Sequence, residues 1–114
     1  MIDEPHDHPR SRPVQAPPGR PLERTAQMFR AAGEPSRLRL LALLADGERC
    51  VSELVGPTET MSVISQRLRV LRNAGLVRRR RDGKHAYYSL TDAHVEELLL
   101  SALRHGEEDD HDHD

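Results

Sequence analysis

The sequence of 114 residues predicts one mainly α-helical domain with a single β-hairpin. Three observations support this fold class. Apolar residues recur at helical spacing in several segments between residues 21 and 105, and an Asp-Gly pair at residues 82–83 separates two β-prone runs. Glycine or proline stands near the ends of most of these segments, where it interrupts a helix. A chain of this length supports one domain with tails and excludes two full domains.

Two terminal segments are expected to lie outside the folded domain. Residues 1–20 hold five prolines among charges and histidines, with too few apolar groups to offset the entropy of ordering, so they predict a disordered arm. Residues 106–114 contain six carboxylates and two histidines and predict an acidic tail. The folded unit is therefore expected to span residues 21–105.

Two helices are predicted to open the domain. The first covers residues 21–32 and ends at Gly33. Pro35 suits the first turn of the second helix, where its missing N–H is harmless. The leucines of residues 38–44 give that helix a broad buried face before residues 46–47, Asp-Gly, end it.

Two further helices are expected before the hairpin. A short one over residues 51–55 closes at Gly56-Pro57. Thr60 is the expected N-cap of the next, and its core side consists of Ile64, Leu68, Val70 and Leu71 before it ends at Asn73-Ala74-Gly75.

The hairpin consists of residues 76–80 and 85–90 around the turn of residues 81–84. Thr91 or Asp92 then caps a last helix that reaches about His105. A short helix, a turn, a polar-faced helix and a basic hairpin compose a winged helix-turn-helix. In this fold one helix enters the major groove of DNA and the hairpin meets the backbone.

Basic charge is concentrated around the fourth helix and the hairpin. Residues 66–85 hold eight basic residues against Asp82 alone, a local charge of +7 within a chain of net charge −2. Because these charges sit inside apolar periodicity, they decorate a folded element and can meet phosphates. The chain has only three aromatic residues, which are too few to stack on the bases of a single-stranded nucleic acid. The expected partner is therefore duplex DNA.

Candidate DNA contacts follow from the expected faces of these elements. If the apolar side of the fourth helix faces the core, its outward polar residues can read base edges, although an ordinary solvated helix is the alternative. Hairpin residues are expected to meet phosphates. The candidates are Ser62, Ser65, Gln66 and Arg69 on the helix, and Arg80 and Lys84 on the hairpin.

Composition excludes several other classes of protein. The longest apolar run has six residues, whereas a membrane helix needs about twenty, and the acidic N-terminus cannot serve as a secretory signal, so a cytoplasmic location is expected. The single cysteine excludes an intramolecular disulfide. No paired base and nucleophile or phosphate loop is visible, which argues against an enzyme.

Five segments resemble the ArsR/SmtB family of bacterial metal-sensing repressors. The resemblance covers about residues 22–108 and implies a homodimer, joined through its first and last helices, that binds an operator when metal-free and leaves it when metal binds. The stretch from Cys50 to Ser65 is about one residue shorter than the family pattern. The segments are Glu34-Pro35-Ser36-Arg37-Leu38, Cys50-Val51-Ser52-Glu53-Leu54, Ile64-Ser65-Gln66-Arg67-Leu68, Leu71-Arg72-Asn73-Ala74-Gly75-Leu76-Val77 and Gly83-Lys84-His85-Ala86-Tyr87-Tyr88.

The last helix carries two histidines that share a face. His94 and His105 are eleven residues apart, about 20° from three full turns, yet about 16 Å apart along the axis. Two nitrogens on one zinc lie within roughly 4 Å of each other, so one helix cannot supply both. If two copies cross antiparallel near Leu99, His94 of one copy comes opposite His105 of the other. One dimer then holds two equivalent sites.

Asp92 and Glu108 complete a possible ligand set with these histidines. The spacing is similar to the Asp-x-His, ten residues, His-x-x-Glu/His signature of the zinc and cobalt sensors most similar to SmtB. An oxygen and nitrogen set of this kind suits tetrahedral Zn²⁺, and Co²⁺, Ni²⁺ and Cd²⁺ remain open. Gly106 is expected to weaken the helix before Glu108, so His111 or Glu107 is left as an alternative fourth ligand. Ordinary surface histidines and carboxylates are the competing interpretation.

A second metal site is considered at Cys50 with His6 and His8, because other members of the family place metal-binding cysteines near an N-terminal arm. Ser52 stands where stronger versions of that motif have a second cysteine, and a lone cysteine is more often a small buried apolar residue. His85 is expected to be structural or to contact the DNA backbone.

The sequence therefore predicts a repressor that binds duplex DNA as a homodimer and is released by zinc. A winged-helix regulator of a non-metal signal is one alternative. A metal buffer or chaperone is another, suggested by the His/Asp-rich ends, but it leaves the basic hairpin region unexplained.

Overall fold

The computed structural model describes residue 15 and residues 19–112, with side chains described to residue 108. It confirms a mainly α-helical chain with one long hairpin. One turn of 3-10 helix, Val51–Glu53, lies between the first strand and the third α-helix of the chain. The other elements, in chain order, are α1 (Gly19–Ala32), α2 (Pro35–Leu44), β1 (Arg49–Cys50), α3 (Met61–Asn73), β2 (Val77–Asp82), β3 (His85–Leu90) and α4 (Ala93–Asp112).

The corner between α1 and α2 is made by local hydrogen bonds. The N–H of Gly33 donates to the carbonyl of Phe29 over 2.9 Å and closes α1. Glu34 caps α2, and its carboxylate accepts from the backbone N–H of Arg37 over 3.0 Å. That hydrogen bond is the main reason that the pKa of Glu34 lies below its usual value. Pro35 occupies the first turn of α2, as the sequence predicts.

Helix α3 begins and ends where the sequence places it. The hydroxyl of Thr60 accepts from the backbone N–H of Val63 over 3.2 Å, which satisfies one free N–H of the first turn. Gly75 follows the helix with a φ of 81°, a left-handed conformation that glycine adopts without strain. The predicted core side of α3 is fully buried at Ile64, Leu68 and Leu71. Val70, which was expected on that side, is instead exposed.

The three strands form an antiparallel sheet in the order β1-β3-β2. The register of the long hairpin pairs Val77 with Leu90 and Asp82 with His85. Gly83 takes a φ of 62° in the tight turn, which explains why a glycine stands there. We call β2 and β3 with this turn the wing. The two-residue strand β1, which the sequence does not reveal, pairs with the far side of β3.

The core lies between α2, α3 and the root of the wing. No buried polar or charged residue occurs in the part of the chain that the structure describes. Truncating one fully buried leucine to alanine costs about 2–5 kcal/mol, a large share of the stability of a small domain. The side chains with the lowest exposure are Leu40, Leu41, Leu54, Ile64, Leu68 and Leu71.

Four elements differ in their bounds from the sequence prediction. Strand β2 continues to Asp82, whereas the sequence placed residues 81–84 in the turn. Helix α1 begins at Gly19, two residues early. The helix expected over residues 51–55 is only the one-turn 3-10 helix Val51–Glu53. Helix α4 continues through Gly106 to Asp112, whereas the sequence placed its end near His105. An interior glycine costs roughly 1 kcal/mol against alanine, which weakens a helix without necessarily ending it.

The acidic segment that starts at residue 106 therefore begins inside α4. No helix ends at residue 105, where the sequence placed the end of the folded domain. None of the described helices is long and apolar enough to cross a bilayer.

Candidate nucleic-acid interface and metal ligands

The polar face of α3 points away from the core. Ser62, Ser65, Gln66 and Arg69 are all exposed, as the helical spacing predicts. Ser62 and Gln66 lie opposite the buried side, while Ser65 and Arg69 lie on the flank next to the sheet. Hydroxyl, amide and guanidinium groups on one exposed helix face can form hydrogen bonds with base edges in a major groove.

A carboxylate that the sequence analysis missed holds α3 in place. The Oε1 atom of Glu59 accepts from the backbone N–H of Gly56 over 2.7 Å, and its Oε2 atom accepts from Nη1 of Arg67 over 2.7 Å. Nη1 of Arg39, on α2, lies 3.6 Å from the same carboxylate. The Gly56 hydrogen bond, followed by that of Arg67, holds the pKa of Glu59 below its usual value. Glu59 therefore ties together α2, the turn and α3.

Gly56 leaves room for the Glu59 carboxylate in this turn. A Cβ atom on Gly56 would lie 2.8 Å from Oε1 of Glu59, closer than such contacts allow. The shortened helix-to-helix turn is thus compatible with the carboxylate because residue 56 has no side chain.

The wing arginine singled out by the sequence is bound by an acidic residue. Nη2 and Nε of Arg80 lie 2.8 and 3.1 Å from the two carboxylate oxygens of Glu48, a bidentate ion pair. The guanidinium also lies 4.8 Å from the ring centre of Tyr87. Arg80 lowers the pKa of Glu48. Glu48 thereby offsets part of the charge that Arg80 can offer to a phosphate, and the role of Arg80 in DNA binding stays a prediction.

Lys84 is exposed in the wing turn, as expected of a residue that meets a DNA backbone. His85 is exposed at the start of β3, and its ring centre lies 6.2 Å from that of Tyr87.

Three arginines that the sequence analysis did not select lie between α3 and the wing. They line, together with Ser65 and Arg69, a cleft of about 230 Å³. The period of two along a strand could have identified the wing members, since they alternate with Arg78 and Arg80. The three are Arg72, Arg79 and Arg81.

The expected metal ligands form two separate pairs on α4. Oδ1 of Asp92 lies 4.0 Å from Nδ1 of His94 and also accepts from the backbone N–H of Val95 over 3.0 Å, which caps the helix. His105 and Glu108 lie one turn apart near the other end, and both are exposed. Within the described residues of one chain, no three His, Cys, Asp or Glu side chains are grouped to hold a metal ion. The four-ligand set stays a prediction.

Cys50 lies half-buried at the end of β1, with its Sγ atom 3.1 Å from the hydroxyl of Ser52. His6 and His8 fall outside the described residues, so the second metal site also stays a prediction.

An apolar surface joins the first and last helices. Phe29 on α1 and Leu98 on α4 expose 59% and 48% of their surface. They border an apolar cavity of about 250 Å³ between α1, α2 and α4. Exposed apolar side chains gathered around a cavity are typical of a surface that another protein covers.

The continuity of α4 through Gly106 leads to the first prediction. A Cβ atom on Gly106 meets nothing within 4 Å, so Gly106→Ala fits and favours the helix by about 1 kcal/mol. If Glu108 binds zinc from a helical position, the substitution should raise zinc affinity up to about fivefold, measured by competition with a chelating dye. The gain should vanish in a Gly106→Ala, Glu108→Gln double variant. A gain that persists there would transfer the ligand role to another residue.

Comparisons with known proteins agree with this architecture. The model of the family described as "Bacterial regulatory protein, arsR family" matches residues 34–79. A transcriptional repressor SmtB homolog from Synechocystis is 42% identical over 89 residues, which cover 77% of this chain and 67% of that protein. The HTH-type transcriptional repressor SmtB of Mycobacterium tuberculosis is 34% identical over 111 residues, covering 91% of this chain and 82% of that protein.

A solved structure is similar over most of the chain. It is the homodimeric winged helix-turn-helix DNA-binding domain of a possible ArsR-family transcriptional regulator from Mycobacterium bovis. The TM-score is 0.72 at 32% identity, covering 76% of this chain and 82% of that one.

Proposed function

This chain belongs to the ArsR family of bacterial regulatory proteins, and from that premise we propose that it is a metal-responsive repressor. Its metal-free homodimer binds operator DNA in the cytoplasm, and zinc or a related divalent ion releases it. The observation that carries the metal part is an exposed stripe on α4. His94 and His105 lie at its two ends, and Leu98 lies between them.

The stripe supports a two-fold crossing of two α4 helices. At 100° per residue, His94, Leu98 and His105 fall within about 40° of one another around the helix. Leu99, at the height of the expected two-fold axis, is only 8% exposed and belongs to the core of its own subunit. Leu98 is therefore the residue available for the seam between copies. An antiparallel crossing there brings each His94 opposite the other copy's His105.

Each proposed site takes ligands from two subunits. Asp92 and His94 come from the start of one α4, and His105 and Glu108 come from the end of the other. Two carboxylates and two imidazoles suit tetrahedral zinc, and cobalt, nickel and cadmium accept the same donors. The choice among these metals depends on geometry and availability as well as on the donors.

The fold supplies a physical connection from this site to α3. Val95 and Leu99 of α4 border the same cavity as Leu41 of α2. Helix α2 in turn carries Arg39, which lies against Glu59 and thereby joins the base-reading helix. A dimer geometry favoured by metal would turn the two α3 helices away from successive major grooves. A coupling of 1–3 kcal/mol changes operator affinity about 5- to 150-fold.

The DNA contacts of this proposal are divided by chemistry. Ser62, Ser65, Gln66 and Arg69 are assigned to base edges. Lys84 and Arg80 are assigned to the backbone, although Glu48 offsets part of the charge of Arg80. Base contacts supply specificity, whereas phosphate contacts supply most of the affinity and its dependence on salt.

Fluorescence anisotropy tests the proposal directly. We expect the protein to bind the DNA upstream of its own gene, and zinc to weaken that binding about 5- to 150-fold. A mixed-sequence duplex and a protein sample with excess chelator serve as controls. If zinc, cobalt, nickel and cadmium all leave the affinity unchanged, the metal-responsive part is wrong, although the protein remains a DNA-binding regulator. Metal binding without any binding to DNA would instead favour a metal buffer.

A further inference from the structure

The turn that leads into α3, residues 56–59, is closed by two reciprocal hydrogen bonds. The backbone N–H of Glu59 donates to the carbonyl of Gly56 over 3.2 Å, and the N–H of Gly56 donates to Oε1 of Glu59 over 2.7 Å. Pro57 suits the second position of such a turn, because its ring fixes the φ that is required there. The carboxylate of Glu59 is thereby held in one place, directly before the N-cap of α3.

The second oxygen of this carboxylate binds α3 itself. Oε2 of Glu59 accepts from Nη1 of Arg67 over 2.7 Å, and Arg67 lies about two turns into the helix. The ion pair therefore runs beside the first two turns of α3, which carry Ser62 and Gln66. In a helix-turn-helix, the N-terminal residues of the recognition helix contact the base edges. Glu59 thus binds the half of α3 that is assigned to the bases.

Helix α2 is attached to the same carboxylate through Arg39. Nη1 of Arg39 lies 3.6 Å from Oε1 of Glu59 and donates over 3.4 Å to the carbonyl of Leu54, the residue that follows the 3-10 turn. The side chains of Arg39, Arg67 and Glu59 are 46%, 28% and 22% exposed. Three segments of the chain, α2, the turn and α3, therefore meet at one carboxylate that is mostly shielded from water.

Folding stability alone does not explain three charged groups at this position. Partly exposed ion pairs contribute little to stability, and replacing shielded pairs by apolar side chains of similar volume is often neutral or stabilising. The charges matter more for DNA. Arg67 lies about 200° around α3 from Ser65, which faces the wing, so Arg67 is on the flank that would face the other wall of a major groove. An unpaired arginine there would attract the phosphates of any DNA sequence.

We infer that Glu59 is a positioning residue that gives this protein its preference for operator DNA over other sequences. It fixes the base-reading half of α3 relative to α2, and it offsets the charge that Arg39 and Arg67 would offer to the backbone of any duplex. The inference rests on the proposed repressor function. Specificity is a difference between two affinities, so one residue raises it by strengthening operator binding and weakening binding to other DNA.

A fluorescence anisotropy titration of full-length Glu59→Gln tests this with two duplexes, the DNA upstream of its own gene and a mixed sequence. We expect affinity for the upstream DNA to fall about tenfold, because the amide still accepts from Gly56 but no longer forms an ion pair with Arg67. Affinity for the mixed sequence should rise severalfold. The slope of log affinity against log salt should steepen there by about 1 to 2, because each homodimer gains two net positive charges.

Two further variants separate position from charge. Glu59→Asp keeps the charge but is one methylene shorter, so it cannot reach Gly56 and Arg67 together. Its affinity for the upstream DNA should fall, with little change on the mixed sequence. Glu48→Gln is the matched control, since it removes the same charge from the ion pair of Arg80 in the wing, away from α3. We expect it to raise the affinity for both duplexes, and melting temperatures show that each variant is folded.

Opposite changes on the two duplexes are the decisive result, because a damaged fold lowers both affinities and a simple loss of negative charge raises both. If Glu59→Gln changes both affinities in the same direction, or changes neither, the inference is wrong. The wild-type protein separates this failure from that of the proposed function. A wild-type preference for the upstream DNA that survives in Glu59→Gln rejects only the role of Glu59. Equal wild-type affinity for both duplexes, with and without metal, rejects the proposed repressor function as well.

Discussion

Mixed dimers of His94→Ala and His105→Ala chains should regain one tight zinc site that both variant homodimers lack. In the antiparallel arrangement, each site takes His94 from one chain and His105 from the other. Each homodimer therefore lacks one histidine in both of its sites. In the mixed dimer, the chain with intact His94 and the chain with intact His105 together complete one site, whereas the other site loses both histidines.

The expected difference is large. Loss of one imidazole ligand should lower zinc affinity by at least about 100-fold, because partners outside the ligand shell are already worth about 10- to 100-fold. Zinc stoichiometry and affinity are measured with a chelating dye on heterodimers purified through two different tags, near pH 7.5, where imidazole is mostly neutral and protons compete little. Ligands from a single chain would leave one histidine missing in every site, and a folded heterodimer would then show no recovery.

Leu98→Glu should convert the homodimer into a monomer and abolish tight binding of both zinc and DNA. Leu98 exposes 48% of its surface in the single chain and lies between the two histidines on the stripe. In the proposed dimer, the substitution buries an unpaired carboxylate from each copy at the seam. An uncompensated buried charge costs about 3–5 kcal/mol, so the dimer dissociation constant should rise more than 100-fold.

Leu100→Glu is the matched control for this change. Leu100 is 37% exposed and lies about 160° away around α4, so the same charge enters on the other side of the helix. Sedimentation equilibrium should show a monomer for Leu98→Glu and a dimer for Leu100→Glu. The monomer should also halve the salt slope of DNA binding, because half of the phosphate contacts are lost. A Leu98→Glu protein that remains dimeric would place the seam elsewhere and remove the basis for shared metal sites.

Local chemistry made the helices and the wing predictable from the sequence. Thr60 could be recognised as a cap because a hydroxyl before an apolar run satisfies a free N–H of the first turn. The turn of the wing could be placed because Gly83 adopts a left-handed φ that few other residues tolerate. The exposed face of α3 followed from the period of 3.6, since the burial of Ile64, Leu68 and Leu71 turns the intervening residues outward.

The same period predicts that His94 and His105 share a face of α4 and that one helix cannot bring both to one metal ion, and their role as ligands stays a prediction. The sequence did not show where α4 ends. Gly106 lowers the stability of the helix, but a glycine does not block it sterically. The position of the helix end therefore depends on the balance of small free energies along the whole segment.

Tertiary structure alone decided which arginines pair with carboxylates. Arg80 and Arg79 are neighbours in a run of four arginines, and nothing local distinguishes them. Arg80 lies on the face that reaches Glu48, 32 residues earlier in the chain, whereas Arg79 turns toward α3 and has no carboxylate partner among the described residues. The same holds for Glu59, which binds both Arg39 and Arg67. Charge pairing depends on distance in space, and only the packing of β1, β3 and α3 brings these groups within reach.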